Sequence, residues 1–520
     1  MFQLHTLLSL LPESGQALAV GLHPEMLQVW LDSLAGSSSE ETAGALRERL
    51  KHLGLPGSLG VRLRMLDMLA GETRRVAADF ETELDQAHYP LSVSLQIKVA
   101  AGNDLLKAHA QAYRAAALRL RKRWAGREKS RLLRHSLSQA MDMERRRLIL
   151  AYRAHAPGAR SAWRNLHALY RIARAEGQHG PAGGEDSPHR IYAMTLLLAQ
   201  AEPERMPPGE LDRVRFYLER HAHLAEFQPV SWPLREIDFR EACFLIRRDD
   251  AGPGLSLQKW QHIAPKDDDI LLDCSPLLRL LRSQIDALEF GALPSKIGLP
   301  SVARRPHYVA MLKHLQALWG APPTRRSTRQ RFHPRVELCV GLDDLWSMLS
   351  GAALRRRRDD GAGATAAQAV EVSEWSVDNE SPTGFALHYV NGESHALAVG
   401  ALVGVRAPDK GRIHVCVVRR LVSGISRRTE LGLEKIAGFG IPTTITWGGS
   451  AAASRPPARA IVLPRMPSLA GGAAVIAAPQ VLRSGKRVPY VEDGRSLTRL
   501  AGAPIERTAT YDLLALGEAD

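Results

Sequence analysis

The chain has 520 residues, 45% of them hydrophobic and 24% charged, with a formal net charge of +14. This composition excludes a disordered or fibrous protein and supplies ample core for roughly two to four domains. No uncharged apolar run approaches membrane-spanning length.

Residues 1–230 read as mostly helical. An apolar start to Leu34 precedes segments 40–53, 61–84, 90–124, 129–155, 162–176 and 191–202, all rich in Ala, Leu, Arg and Glu. Tyr113, Ala116, Leu120 and Trp124 fall on one face of a helix whose other faces are arginine-rich. This basic stretch, residues 119–134 with Arg145 to Arg147 beyond it, reads as a solvated helix face. The alternatives are a surface for an acidic protein or for nucleic acid, and no helix-turn-helix, zinc-finger or RNA-binding motif supports the latter. Trp163, Leu166 and Tyr170 have the spacing of a tetratricopeptide first helix, but no second copy follows, so they predict a single core helix. An irregular bundle or short solenoid without catalytic motifs predicts a protein-interaction module over 1–230.

The pattern changes at Val230. Residues 237–244 and 255–260 read as strands flanking an Asp-Asp-Ala-Gly-Pro-Gly turn, followed by helices over 275–288 and 307–319. A mixed α/β connecting region is therefore expected over 231–323. Ala321-Pro-Pro-Thr and the basic residues after it read as a flexible linker. Beyond it, residues 385–389, 402–405, 413–418 and 431–433 read as short strands separated by turn-forming residues, the pattern of a small antiparallel barrel. Residues 342–353 look helical. After Gly440 an Ala/Gly/Pro-rich stretch leads to strands expected over 460–463, 473–477, 487–491 and 508–512. This tail, 441–520, is either an extension of the barrel sheet or a small second barrel.

Two motifs carry the chemistry. Arg331-Phe-His-Pro-Arg335 places two arginines four residues apart, and Pro334 favours an extended or turning conformation at His333. The guanidinium fork donates in pairs to a phosphate or to the O6/N7 edge of guanine. Asn379-Glu-Ser381-Pro-Thr-Gly384 adds a carboxamide that can accept from guanine N1 or N2, a hydroxyl donor, and a glycine that permits positive φ and close backbone approach. Neither spacing is specific alone. Arg119 to Arg123 and Arg123 to Arg127 share the first, and the second motif has the composition of an ordinary polar turn.

The two motifs in this order, R-x-x-x-R and then N-x-S-x-x-G ahead of short strands, resemble the PilZ family of cyclic di-GMP receptors. Glu430-Leu-Gly-Leu-Glu434 is similar to the closing strand of such barrels. The resemblance covers about residues 324–440, less than a quarter of the chain. It implies a PilZ-like barrel in which Arg331 and Arg335 lie on the loop entering the barrel and wrap cyclic di-GMP. Asn379, Ser381 and Gly384 would then sit on the barrel surface.

The expected fold is thus multidomain α+β: a helical N-terminal region, a PilZ-like antiparallel β-barrel and a further β-rich tail. There is no P-loop, H-E-x-x-H, G-x-S-x-G or Rossmann glycine pattern. Asp267 to Asp269 read as a solvated turn, and His221 and His223 do not share a helix face. No catalytic residue, metal site or cofactor is expected. Four scattered cysteines, Cys243, Cys274, Cys339 and Cys416, read as buried thiols of a reducing compartment. With no basic n-region at the start of the sequence, the expected location is cytoplasmic. The expected function is that of a non-enzymatic cyclic di-GMP effector of bacterial type that repositions its helical module toward a protein partner. The alternative is a basic nucleic-acid-binding or scaffold protein with a degenerate, non-binding barrel.

Overall fold

The computed structural model describes residues 24–520 apart from 53–57, 123–125, 181–183, 185, 231–241, 248, 257–264, 321–333, 356–368, 393–396, 407–410, 424–428, 447–456, 465, 467–471, 493 and 518–520. Trp124, Gln330, Arg331 and the linker before Arg331 lie outside the described residues.

Among the described residues, eight α-helices form the N-terminal region: α1 (Pro24–Ser33), α2 (Ser39–His52), α3 (Leu59–Asp85), α4 (Val93–Arg121), α5 (Arg127–Arg153), α6 (Arg160–Ala175), α7 (Pro188–Gln200) and α8 (Glu210–His221). Their starts are written in the sequence. Ser58, Ser92 and Ser187 accept from the amides three residues on, and Pro188 follows its cap where a missing N–H costs nothing. The apolar stripes face inward as the periodicity predicts. Tyr113, Ala116 and Leu120 are buried on α4, and Trp163, Leu166 and Tyr170 on α6. At Gly102 a Cβ would lie 2.8 Å from the Phe80 ring and 2.9 Å from Leu150, so a glycine lets α4 approach α3 and α5.

Arg145 to Arg147 do not form a solvated face. Arg147 is 2% exposed and donates to Glu144 (2.5 Å), Asn103 (3.1 Å) and Ser161 (3.2 Å), while Arg145 and Arg146 both turn onto Asp142. The helix periodicity that pointed them outward does not count the flanking helices that cover them.

His109 is another interior polar group. Its Nε2 lies 3.1 Å from the Leu66 carbonyl, which can only accept, so Nε2 carries the proton and Nδ1 accepts from the Thr73 hydroxyl at 3.0 Å. Burial pushes its pKa down to about 4. A folded-state value below the unfolded one means that stability is held above pH 6.5 and lost as pH falls toward 4. The expected loss from this residue is about 1–2 kcal/mol between pH 7.5 and pH 5. In urea unfolding, His109→Gln should be less acid-sensitive than the parent by that amount, and an unchanged pH dependence would refute the assignment.

The connecting region contributes a four-stranded antiparallel sheet in the order β1-β4-β2-β3, with β1 Glu226–Pro229, β2 Cys243–Ile246, β3 Leu255–Ser256 and β4 Ile270–Asp273. Most of the strand expected over 237–244 lies outside the described residues, and β4 was not anticipated. Helices α9 (Ser275–Glu289) and α10 (Pro306–Trp319) follow where the sequence placed them. They pack into the helical core, with the Trp319 indole donating to the Leu197 carbonyl (3.0 Å) and the Tyr217 hydroxyl to Gln284 (2.9 Å).

Six strands then close an antiparallel barrel in the order β10-β11-β12-β9-β8-β5. These are β5 Arg335–Val340, β8 Ser373–Ser381, β9 Gly384–Asn391, β10 Leu402–Arg406, β11 Ile413–Ser423 and β12 Thr429–Ala437. Two short parallel strands, β6 (Leu354–Arg355) and β7 (Val370–Glu371), lie between β5 and β8 in sequence. Strand alternation sorts the side chains. Val336, Leu338, Trp375, Val377, Leu387, Val403, Cys416, Val418, Leu431 and Leu433 join the core cluster that continues into the helical region. Cys339, Leu402, Val415 and Val417 point outward and are covered by helix α11 (Leu342–Leu349) and by the tail. The barrel also meets the helical region through its backbone, where the Ser423 amide donates to the His155 carbonyl at 2.7 Å.

The tail is not an extension of the barrel sheet. It is a separate six-stranded antiparallel sheet in the order β13-β14-β15-β18-β17-β16, with its own core around Val462, Val475, Val488 and Leu514. The strands are β13 Ile441–Ile445, β14 Ala458–Leu463, β15 Ala474–Ala477, β16 Arg487–Glu492, β17 Arg495–Arg507 and β18 Asp512–Gly517. Its edge strands meet where the Thr443 hydroxyl donates to the Pro489 carbonyl. The strand expected over 508–512 is instead the turn from β17 into β18. There the Thr508 hydroxyl accepts from the Thr510 and Tyr511 amides, the local competition with strand pairing that threonine offers. The architecture is multidomain α+β, with a helical N-terminal region followed by antiparallel barrel-like sheets. Among the described residues no helix is long and apolar enough to cross a membrane, and no cluster of His, Cys, Asp and Glu could hold a metal ion.

Candidate functional site

Arg335 is the first residue of β5 rather than a loop residue. It is exposed and pairs across the strands with Ser376 of β8. The Val377 amide donates to the Pro334 carbonyl (3.0 Å), so extended pairing begins at the proline. The second motif forms the tip of the β8–β9 hairpin, where Ser381 pairs with Gly384 across a two-residue Pro382-Thr383 turn.

Residues directly opposite in antiparallel strands share a face. The barrel register therefore defines two rows on the outer surface. The first runs Arg335, Ser376, His388, Glu430 across β5, β8, β9 and β12. The second runs Asn379, Ala386, Gly432, Arg420 across β8, β9, β12 and β11. A bulge at Asp378 makes the second row possible, because without it Asn379 would point into the barrel. The bulged Asp378 carboxylate accepts from His388 Nδ1 at 2.6 Å. Helix α11 and the tail cover the outer side of β5, β10 and β11, whereas the rows bearing the motifs lie mainly on β8, β9 and β12.

The second row has a long polar residue at each end and two small ones between. Ala386 and Gly432 leave a low strip of backbone bounded by the Asn379 carboxamide and the exposed Arg420 guanidinium. Arg420, Ala386 and Gly432 were not among the sequence candidates. Small residues at alternate strand positions were the only signal, and they gain meaning only once pairing sets them side by side.

At the hairpin tip, Lys435 of β12 ties three parts together. Its amide donates to the Thr383 carbonyl (2.9 Å), and its ammonium pairs with Glu380 (2.5 Å) and lies 4.0 Å from the Phe385 ring centroid. Ser381 Oγ lies 3.3 Å from the Gly384 carbonyl, so its hydroxyl proton is already engaged within the turn. The structure thus gathers Arg335, Asn379, Ser381 and Gly384 on neighbouring parts of one barrel surface, while Arg331 lies outside the described residues.

Residues 25–231 match the family model described as "Cyclic-di-GMP receptor FimW, N-terminal domain". Across 89% of this chain and 85% of its own length, the cyclic-di-GMP receptor FimW of Pseudomonas aeruginosa is 23% identical. The chain is similar to a cyclic-di-GMP receptor. The likeness begins in the helical region, which the motifs do not touch, and with 89% of the chain aligned it extends well beyond it. No solved structure matches the chain significantly.

Of the two reasons the sequence offers for a glycine at 384, the barrel uses close backbone approach. Its φ is not positive, so left-handed freedom is not the reason for a glycine here. A Cβ would instead lie 2.2 Å from the Leu433 carbonyl oxygen of β12, a backbone atom that cannot turn aside. Gly384→Ala should force β9 and β12 apart and destabilise the protein by about 1–3 kcal/mol or more. A thermal midpoint equal to that of the parent would show that this close approach does not constrain the barrel.

Proposed function

We propose that this chain is a cyclic di-GMP-binding signalling effector, with a PilZ-like barrel as its sensor. The observation that carries the reading is the placement of Arg335, Asn379 and Ser381 on one outer barrel surface beside the Ala386–Gly432 strip. The match of residues 25–231 to the N-terminal domain of a cyclic-di-GMP receptor supports it independently of the motifs. In this reading Arg331 and Arg335 clamp phosphate and guanine edges with their paired donors. Asn379 reads a guanine edge, the low strip receives a purine ring, and Arg420 closes the far side. Ser381 and Gly384 hold the hairpin that presents Asn379.

The protein acts as a receptor and not as an enzyme, and its helical region serves a protein partner. Titration calorimetry on the full-length chain should give saturable binding of cyclic di-GMP, and the nucleotide should be recovered intact. Absence of saturable binding, or conversion of the nucleotide, would overturn the reading.

Coupling to output follows from the connectivity. Arg331 and Arg335 stand where the chain passes from α10 into the barrel, and the barrel rests on the helical region through His155 and Ser423. A ligand drawing the arginines onto the Asn379 face shifts the placement of the two parts only by its differential affinity for the arrangements. Saturating cyclic di-GMP should protect residues 321–330 from limited proteolysis and change the small-angle scattering profile. If both are unaltered while binding is intact, the barrel does not reposition the helical module.

A further inference from the structure

The helical region contains a cavity of about 470 Å³ bounded by α3, α5, α7 and α8, far in sequence from the barrel motifs. Its base is a single carboxylate, Asp142, that three guanidinium groups share. Arg145 approaches it at 2.6 Å, Arg146 at 3.0 Å and Arg74 at 3.4 Å. Side-chain exposure is only 13% for Asp142, 14% for Arg145 and 20% for Arg146, so water screens these charges poorly. A fourth arginine, Arg190, also lines the cavity, and its guanidinium donates to the backbone carbonyl of Glu219, a neutral acceptor. Three guanidinium groups thus converge on one interior carboxylate, and a fourth lines the same cavity. The remaining acidic side chains of the lining, Asp186 and Glu219, are exposed.

We propose that this cavity is a second anion site, built for the phosphate group of a small ligand and distinct from the barrel face. Clustered arginines repel one another at low dielectric unless an anion joins them, and the guanidinium fork matches phosphate oxygens in pairs. Asp142 satisfies part of that demand and orients Arg145 and Arg146 in advance, which limits the ordering cost of binding. The two exposed carboxylates select for a compact occupant. An acidic peptide laid across the cavity would meet the exposed Asp186 and Glu219, whereas a single phosphate is small enough to be held by the arginines alone. The volume exceeds that of a bare phosphate, and Ile191 and Met194 offer an apolar wall for the rest of a small phosphoester.

The test uses the full-length protein titrated calorimetrically with inorganic phosphate, pyrophosphate and adenosine monophosphate, which separate a free anion from a phosphoester. Saturable binding of at least one probe is expected, unchanged in Arg335→Ala. Arg146→Gln should weaken it about tenfold or more, the loss of one charge-assisted contact. Glu219→Gln should tighten it severalfold by removing a repelling charge from the cavity lining. No saturable binding of any probe, equal affinity in Arg146→Gln, or loss of binding in Arg335→Ala would each overturn the proposal. Should Arg146→Gln fail to fold, Glu219→Gln decides. An exposed residue can be neutralised without disturbing the core, and an affinity equal to the parent's would then refute the site.

Discussion

Replacing Arg335 by alanine should weaken cyclic di-GMP binding to the full-length chain by about 10- to 100-fold, because a charge-assisted contact to phosphate or guanine contributes about 1.5–3 kcal/mol. Arg335→Lys should recover little, since a lysine offers a point charge without the paired donors. Arg331→Ala should act alike. Ser381→Ala should cost less, because its hydroxyl is already turned to the Gly384 carbonyl. The outer row makes a sharper demand. Ala386 touches neither motif arginine in sequence, yet it lies between Asn379 and Gly432 on the surface. Ala386→Leu should raise a ridge across the strip and weaken binding without unfolding the barrel. Calorimetry on the five variants decides the matter. Binding equal to the parent in both arginine-to-alanine variants would remove the motif from the mechanism, and unaffected binding in Ala386→Leu would move the purine elsewhere.

Arg147→Met should be the most damaging single change in the helical region, at about 3–5 kcal/mol. Arg147 is nearly inaccessible, as is its partner Glu144, which also accepts from Asn165 at 2.7 Å. Burial already drives the Glu144 pKa up, against the opposing pull of Arg147 and Asn165. Removing the arginine leaves a buried carboxylate without its counter-charge. The partners Asn103 and Ser161 also lose their donor. Arg147→Met combined with Glu144→Leu should recover a substantial part of the loss, because an apolar pair of similar size needs no desolvated charge. Urea unfolding of parent, single and double variants measures this. A single variant within about 1 kcal/mol of the parent would mean that the pair is not an internal fixture.

Both predictions concern arginines whose roles the sequence could not separate. Helical periodicity, capping serines and strand alternation come from neighbours along the chain, which is why α4, α6, α9, α10 and most barrel strands were legible in advance. The two motifs were legible too, since their residue types carry their own donor and acceptor chemistry. What the sequence by itself determined was therefore the order of elements and the kind of ligand group that the Arg335 and Asn379 motifs suit.

Only the tertiary structure decided which polar residues are covered by neighbouring elements and which residues of different strands share a face. Arg147 looks like one more arginine on a basic helix until Asn103 of α4 and Ser161 of α6 close over it. Gly384 looks like a turn glycine until β12 places the Leu433 carbonyl beside it. Arg420, Ala386 and Gly432 acquire a shared role only through pairings among β8, β9, β12 and β11, set partly by a bulge at Asp378 that no local pattern announces. Residues 508–512 alternate like a strand, yet the Thr508 hydroxyl wins their amides for a turn. In each case the deciding partner is either distant in sequence or a local hydrogen bond competing with strand pairing, and its contribution exists only once the chain has folded.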